Sequence, residues 1–149
     1  MPARPSFVTT IALAVTLGGA ACISAGCAST PAEPVPFKAV APERILQPDL
    51  TQPTPGRVAV DVRRERSRDV IIRFRDALVY VDGVQVTDLM NGEHIVLYLS
   101  PGIHKIGVST QFDPVVEMGF IVTADTRYSN RASINFNTAH RVTLQRVAQ

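Results

Sequence analysis

The stretch VYVDGVQV, residues 79–86, decides the fold class of this chain of 149 residues. β-Branched and aromatic residues flank the pair Asp82-Gly83 on both sides. Such a pair favours a two-residue turn in which both residues have positive φ, and this turn joins antiparallel strands. The sequence therefore predicts a β-hairpin centred on Asp82-Gly83.

The same alternation of apolar and polar residues continues outward from the hairpin in both directions. Turn pairs separate the alternating segments, among them Asn91-Gly92 and Pro101-Gly102. The segments are residues 58–62, 70–74, 78–81, 84–86, 94–99, 103–110, 116–122, 132–136 and 142–144. Such spacing, with no convincing helical period, predicts an all-β domain: a small antiparallel β-sandwich of seven or eight strands.

Residues 79–83, 91–93 and 97–104 together resemble the pattern of PEGA-like modules and of small proteobacterial envelope lipoproteins related to them. The resemblance covers residues 77–110. Those modules are short antiparallel β-units akin to transthyretin-like or immunoglobulin-like sandwiches appended to envelope proteins. What the resemblance implies is a non-enzymatic envelope domain, with no catalytic residues to carry over.

The N-terminus has the layout of a secretion signal. Residues 1–6 are polar and include Arg4, residues 7–21 are apolar, and small residues lead to Cys27. The alternative is a transmembrane helix, but the run is rich in Gly, Ala, Ser and Thr, and no basic residue follows until Lys38. We therefore expect residues 1–26 to be a signal peptide.

Ser24-Ala25-Gly26-Cys27 resembles the lipobox of bacterial lipoproteins. The resemblance implies that Cys27 becomes the first residue of the mature chain and carries a thioether-linked diacylglycerol and an N-acyl chain. Cys22 is the alternative lipidated residue. Because no Asp follows Cys27, the resemblance further implies the outer membrane, on its periplasmic side.

Residues 27–56 contain seven prolines and few large apolar residues. Proline fixes φ and lacks a backbone donor, so the composition favours an extended tether. A helical turn at residues 43–46 fits within it. The β-sandwich domain is then predicted over residues 57–149, and it contains no cysteine for a disulfide or a thiolate metal site.

Charge is nearly balanced, with 15 Lys and Arg against 13 Asp and Glu, so no overall field attracts nucleic acid. Arginine is nevertheless concentrated in residues 63–75. Arg63, Arg64 and Arg66 are candidates for an anion-binding patch, because guanidinium groups bind phosphate in a bidentate manner. The alternative is a solvated strand face whose charges protect a sheet edge from pairing with other chains.

His104 is the residue with the most chemical interest in the domain. It could act as a metal ligand or proton shuttle, but no His, Asp or Glu pair lies at a metal-ligand spacing. A ring that hydrogen-bonds the backbone of the Pro101-Gly102 turn is the favoured interpretation. The sequence predicts no metal, no cofactor and no enzyme activity.

The function expected from the sequence is a membrane-anchored binding or scaffolding module. It would recognise an envelope protein by strand addition at a sheet edge or through loops at one end. One alternative is an accessory lipoprotein of a secretion or efflux assembly. Another is a small periplasmic hydrolase or ligand-binding protein with dispersed site residues.

Overall fold

The structure is a computed structural model that describes residues 34–148. The predicted signal peptide, Cys22, Cys27 and the start of the predicted tether lie outside the described residues. Residues from Val35 onward form one compact unit. Its strands are β1 (Lys38–Ala39), β2 (Val58–Arg64), β3 (Ala77–Val81), β4 (Val84–Leu89), β5 (Glu93–Leu99), β6 (Gly102–Ser109), β7 (Val116–Val122), β8 (Arg131–Phe136) and β9 (Val142–Arg146).

The strands form two sheets, which confirms the all-β sandwich-like fold. One sheet has the order β1-β5-β2-β8-β9, and the other has the order β4-β3-β6-β7. The second sheet is antiparallel throughout, whereas the first is mixed: β1 pairs with β5, and β2 with β8, in parallel. The wholly antiparallel sandwich predicted from the sequence is wrong in this respect, because the chain after β2 builds β5 and the other sheet and then returns beside β2 in the same direction.

The hairpin at residues 79–86 forms as the sequence predicts. Asp82 has φ of 50° and Gly83 has φ of 83°, the two positive values that this turn requires. At the next turn only Gly92 has positive φ, and Glu93 donates its N–H to the carbonyl of Met90 at 3.0 Å. Both reversals therefore lie where the turn pairs place them.

Alternate residues of each sheet fill the interior. β2 and β5 contribute from one sheet, and β3, β6 and β7 contribute from the other. The apolar side chains without any exposed surface are Val60, Val62, Ala77, Val79, Val86, Leu89, Leu97, Ile106, Val108, Phe120, Ala132 and Ile134.

The segment at residues 70–74 forms a short helix, α1 (Val70–Arg73), and the strand predicted there is wrong. The Asp69 carboxylate accepts the N–H groups of Ile71 at 2.8 Å and Ile72 at 3.2 Å, which caps the first turn of a helix. Only Ile72 is buried, so the alternation of apolar residues does not correspond to one buried face.

Residues 35–56 pack onto the sandwich, so the domain begins near Val35 instead of at Arg57. β1 adds to the edge of β5, Val40 is buried in the core, and Ile45 and Leu50 pack against it. Two 3-10 turns, Pro42–Arg44 and Pro48–Leu50, each begin at a proline, where its fixed φ suits the first helical position. The prolines of this part of the predicted tether therefore shape a covering segment. Within residues 34–148, no helix has the length and apolar character needed to cross a bilayer.

Candidate functional site

Arg64, one of the three residues predicted to bind anions, is fully buried. Strand β2 directs Val60 and Val62 into the core, and Arg64 follows them at the same period. Its guanidinium donates to the carbonyls of Leu89 at 3.0 Å and Ile72 at 2.6 Å. Burial lowers the pKa of Arg64 because it disfavours the charged form. Arg64 cannot meet an external anion, and the alternation of β2 is the sequence signal that indicates this.

Arg63 and Arg66 bind the segment that precedes β1. Both guanidinium groups lie over the ring of Phe37, at 5.1 and 5.3 Å from its centroid. Arg66 donates to the carbonyls of Val35 and Pro36 at 2.6 Å each, and Arg63 donates to Asp61 at the same distance. The three arginines therefore do not form one patch. Sequence reasoning missed this role because it treated Phe37 as part of a free tether.

Beyond the end of β1 no further strand pairs with the outer edge of β5, although the turn at Pro48–Leu50 contacts that strand. Val40 donates its N–H to the carbonyl of His94 at 3.0 Å, so the backbone groups of His94 face outward. Because these groups alternate along a strand, those of Val96 and Tyr98 face the same way. The pairing on the other side of β5 agrees with this. Asp61 of β2 lies opposite Val96, but it donates its N–H to the carbonyl of Asn130, on the side of β2 away from β5.

Strand β1 ends at Ala39, opposite His94, and the chain then turns away. Within residues 34–148, the backbone N–H and C=O groups of Val96 and Tyr98 consequently have no strand partner. We refer to the outer side of Val96–Ser100 as the β5 edge. Unpaired groups of this kind are a template for an added strand.

Two clefts border the β5 edge. The smaller, about 200 Å³, is lined by Val40, Ile45 and Val96 among others. The larger cleft, about 390 Å³, combines apolar and polar groups, the usual composition of a binding site. Its lining residues are Gln47, Asp49, Leu50, Arg57, Val81, Asp82, Val84, Tyr98, Leu99, Ser100 and His104.

The ring of His104 joins two turns at the rim of the larger cleft. Its Nδ1 lies 2.7 Å from a carboxylate oxygen of Asp82, and its Nε2 lies 2.9 Å from the carbonyl oxygen of Ser100. Burial opposes protonation, but these two acceptors outweigh it and raise the pKa of His104 above its usual value. The pKa of Asp82 is lowered, because hydrogen bonds from Lys105 N–H and His104 outweigh its desolvation. The ring bonds the turn backbone, in agreement with the interpretation from the sequence.

Ser100, His104 and Asp82 have the order of a catalytic triad, since Ser100 Oγ lies 3.4 Å from His104 Nε2. A general base needs an unprotonated Nε2 directed at the serine hydroxyl. Here Nε2 faces a carbonyl acceptor at a shorter distance, and Nδ1 faces a carboxylate. Both nitrogens therefore face acceptors, an arrangement that favours the protonated ring, in which Nε2 has no lone pair with which to activate Ser100. Among residues 34–148, no group of three or more His, Cys, Asp or Glu is placed to hold a metal ion.

Comparison of the chain with protein-family models, with curated proteins and with solved structures finds no match.

Proposed function

We propose that this chain is a lipid-anchored, non-enzymatic envelope protein whose β-sandwich binds an extended segment of a partner protein along the β5 edge. The observation that carries the proposal is the pair of unpaired backbone positions, Val96 and Tyr98, between two clefts. An added strand would satisfy the backbone groups, and the clefts would accept side chains, which is how strand addition achieves affinity and selectivity.

The support for the anchor comes from the sequence. A signal-peptide layout ends at a cysteine in a lipobox-like context, and two or more acyl chains hold a protein on a membrane where one does not. In the sequence, residues 28–34 lie between Cys27 and the start of the compact unit at Val35. We place the protein at the outer membrane, facing the periplasm. Mass spectrometry of the mature chain should show acyl groups on Cys27.

A proline substitution tests the β5 edge without breaking its pairing with β2. Val96→Pro removes an outward-facing N–H and leaves the bonds to β2 intact, because proline is tolerated where the N–H of an edge strand faces away from the sheet. We expect this variant to lose crosslinking of a photoreactive group at Tyr98 to the partner in intact cells.

Glu117→Pro is the matched control for Val96→Pro. Glu117 lies on β7, the end strand of the other sheet, and its backbone faces outward like that of Ile121, whose carbonyl accepts the side chain of Arg146. Crosslinking at Tyr98 should survive in this variant. Thermal unfolding would establish that both variants fold. Unchanged crosslinking in a folded Val96→Pro variant would rule out strand addition at this edge.

The hydrolase alternative has one observation in its favour, the arrangement of Ser100, His104 and Asp82 beside the larger cleft. The doubly donating ring argues against it. A protonated imidazole cannot accept the hydroxyl proton, so the Ser100 hydroxyl is not activated as a nucleophile.

A further inference from the structure

Three segments meet at the end of the sandwich where β6 finishes. They are the loop after β6 (residues 110–113), the loop between β8 and β9 (residues 137–141) and α1. Arg75 donates to the carbonyl of His140 at 2.7 Å, and Asp69 accepts from the His140 ring at 3.1 Å. Between these segments lies a pocket of about 330 Å³. Its lining residues are Arg75, Phe112, Ala139, His140 and Arg141.

One buried carboxylate holds two guanidinium groups beside this pocket. The side chain of Asp113 is 3% exposed and lies 3.7 Å from Arg75 and 3.0 Å from Arg141. Burial raises the pKa of Asp113, but hydrogen bonds from Arg141 and Thr110 outweigh burial, so its pKa is lowered and it stays ionised. The cluster of Arg75, Arg141 and Asp113 therefore carries one net positive charge, and the carboxylate of Asp69 lies beside His140 at the rim of the same pocket.

Both guanidinium groups keep donors available. Arg75 uses Nη1 for His140 and Asp113, and Arg141 uses Nη1 for Asp113 and the carbonyl of Phe112. In the part of the chain that the structure describes, Arg75 Nη2 and the Nε and Nη2 of Arg141 have no hydrogen-bond partner. Guanidinium donors held in a fixed orientation suit the oxygens of a phosphate group.

Apolar side chains surround the same end of the domain. Val70, Ile71 and Phe74 lie on the exposed face at α1, opposite the buried Ile72, at spacings that place them together. Phe74 is 76% exposed and Phe112, which lies under Arg75, is 63% exposed. Exposed apolar side chains beside basic groups are typical of surfaces that enter the headgroup region of a bilayer.

We propose that this surface, consisting of the pocket and the apolar residues at α1, docks on an anionic phospholipid bilayer. A lipid phosphate lies between Arg75 and Arg141, and Val70, Ile71 and Phe74 enter the interface. Asp69 and Asp76 lie close in sequence and keep the local charge low. Docking therefore depends on the pocket and the apolar contacts more than on long-range attraction.

An environment-sensitive fluorophore on the full chain tests the proposal. Cys22 and Cys27 are replaced by serine, and a single cysteine is introduced by Ile71→Cys for labelling. The labelled chain, which has no cysteine left to carry an acyl anchor, is added to nanodiscs of phosphatidylcholine, with or without phosphatidic acid. We expect a blue shift of the emission only in the discs that contain phosphatidic acid.

Two controls locate the effect. The first is a label introduced by Ile103→Cys, at the start of β6 and therefore at the other end of that strand. The emission of this label should not shift. Adding Arg141→Gln to the Ile71→Cys chain should abolish the shift. Arg127→Gln should leave it unchanged, because Arg127 is an exposed arginine paired with Asp125 away from the pocket. Circular dichroism would show that each variant folds.

Several results would overturn the proposal. They are the absence of a shift at position 71, equal shifts at positions 71 and 103, or a shift that persists in a folded Arg141→Gln variant. Competition with glycerol 3-phosphate examines the other source of a phosphate group. If millimolar glycerol 3-phosphate removes the shift, the pocket is a site for a soluble ligand and the membrane proposal fails.

Discussion

Arg64 places a charged group in the interior of the sandwich, where its bonding partners are backbone carbonyls. Its guanidinium spans from β2 to Leu89 at the end of β4 and to Ile72 in α1, and it lies 5.4 Å from the ring centroid of Phe136. Its Nε has no partner within the described residues. The side chain thus connects both sheets and the helix through one planar group.

Arg64→Met should destabilise the domain by about 2–4 kcal/mol, because it removes two hydrogen bonds from a charged group, each of which contributes roughly 1.5–3 kcal/mol. Urea unfolding measures this loss. Arg63→Met is the control: it removes a half-buried pair with Asp61, and such pairs contribute less than about 1 kcal/mol. Equal losses in the two variants would mean that the bonds of Arg64 contribute no more than a surface contact.

The pair of His104 and Asp82 should make stability depend on pH. The folded-state pKa of His104 is raised above 6.5, so its contribution is present below pH 6.5 and is lost as pH rises through the folded-state pKa. The pKa of Asp82 is lowered below 3.8, so its contribution is present above pH 3.8 and is lost as pH falls through the folded-state pKa.

The difference in melting temperature between the parent chain and His104→Gln should accordingly be largest between pH 3.8 and 6.5. It should shrink at alkaline pH, where the ring is neutral in both the folded and unfolded states. Melting curves recorded from pH 4 to pH 9 measure it. A difference that increases with pH would contradict the doubly donating ring.

At the level of elements, alternation predicted eight of the strands, because β2 to β9 each present one face to a common core. It failed at residues 70–74, where the Asp69 cap and the bond from Arg64 to Ile72 fix a helical turn that no period of two encodes. It also failed before Arg57. The prolines there favour an extended chain locally, and only the folded domain gives that chain a surface to cover.

A fragment that begins at Arg57 should therefore not fold stably. It lacks the buried Val40, which contributes roughly 1.5–3 kcal/mol, and the partly buried Ile45 and Leu50, which each contribute less, and the sum is a large fraction of the total stability of a domain. It also lacks Arg44, which pairs with Asp88 at 2.7 Å and with the buried Glu93. Circular dichroism melting compares it with residues 35–149, which should unfold cooperatively. Equal melting temperatures of the two fragments would show that the domain begins at Arg57.

On the scale of the whole molecule, arginine side chains close the sandwich on both sides. Arg44 links the β4 and β5 edges through Asp88 and Glu93. Arg146 donates to the carbonyls of Ser129 and Ile121 and lies 4.2 Å from the ring centroid of Phe120, next to β7. Charged hydrogen bonds across the open sides thus add to the apolar core in holding the two sheets together.

Sequence reasoning could not find either candidate surface, because each combines residues that are distant along the chain. The β5 edge is open because β1 is two residues long, and a pattern of apolar residues does not record where pairing stops. The phosphate pocket joins Arg75 with Arg141 through Asp113. The candidate patch of Arg63, Arg64 and Arg66 does not form as one surface, because Arg63 and Arg64 are neighbours on a strand and point to opposite sides.

The parallel pairing of β2 with β8 also sets the order in which the domain can be completed. Residues 61–64 of β2 pair with residues 131–134 of β8. One side of β2, the central strand of the mixed sheet, therefore stays unpaired until almost the entire chain has been made. Contacts this distant form slowly, since a long loop must close before they contribute. The mixed sheet therefore cannot be completed on an elongating chain until late in synthesis.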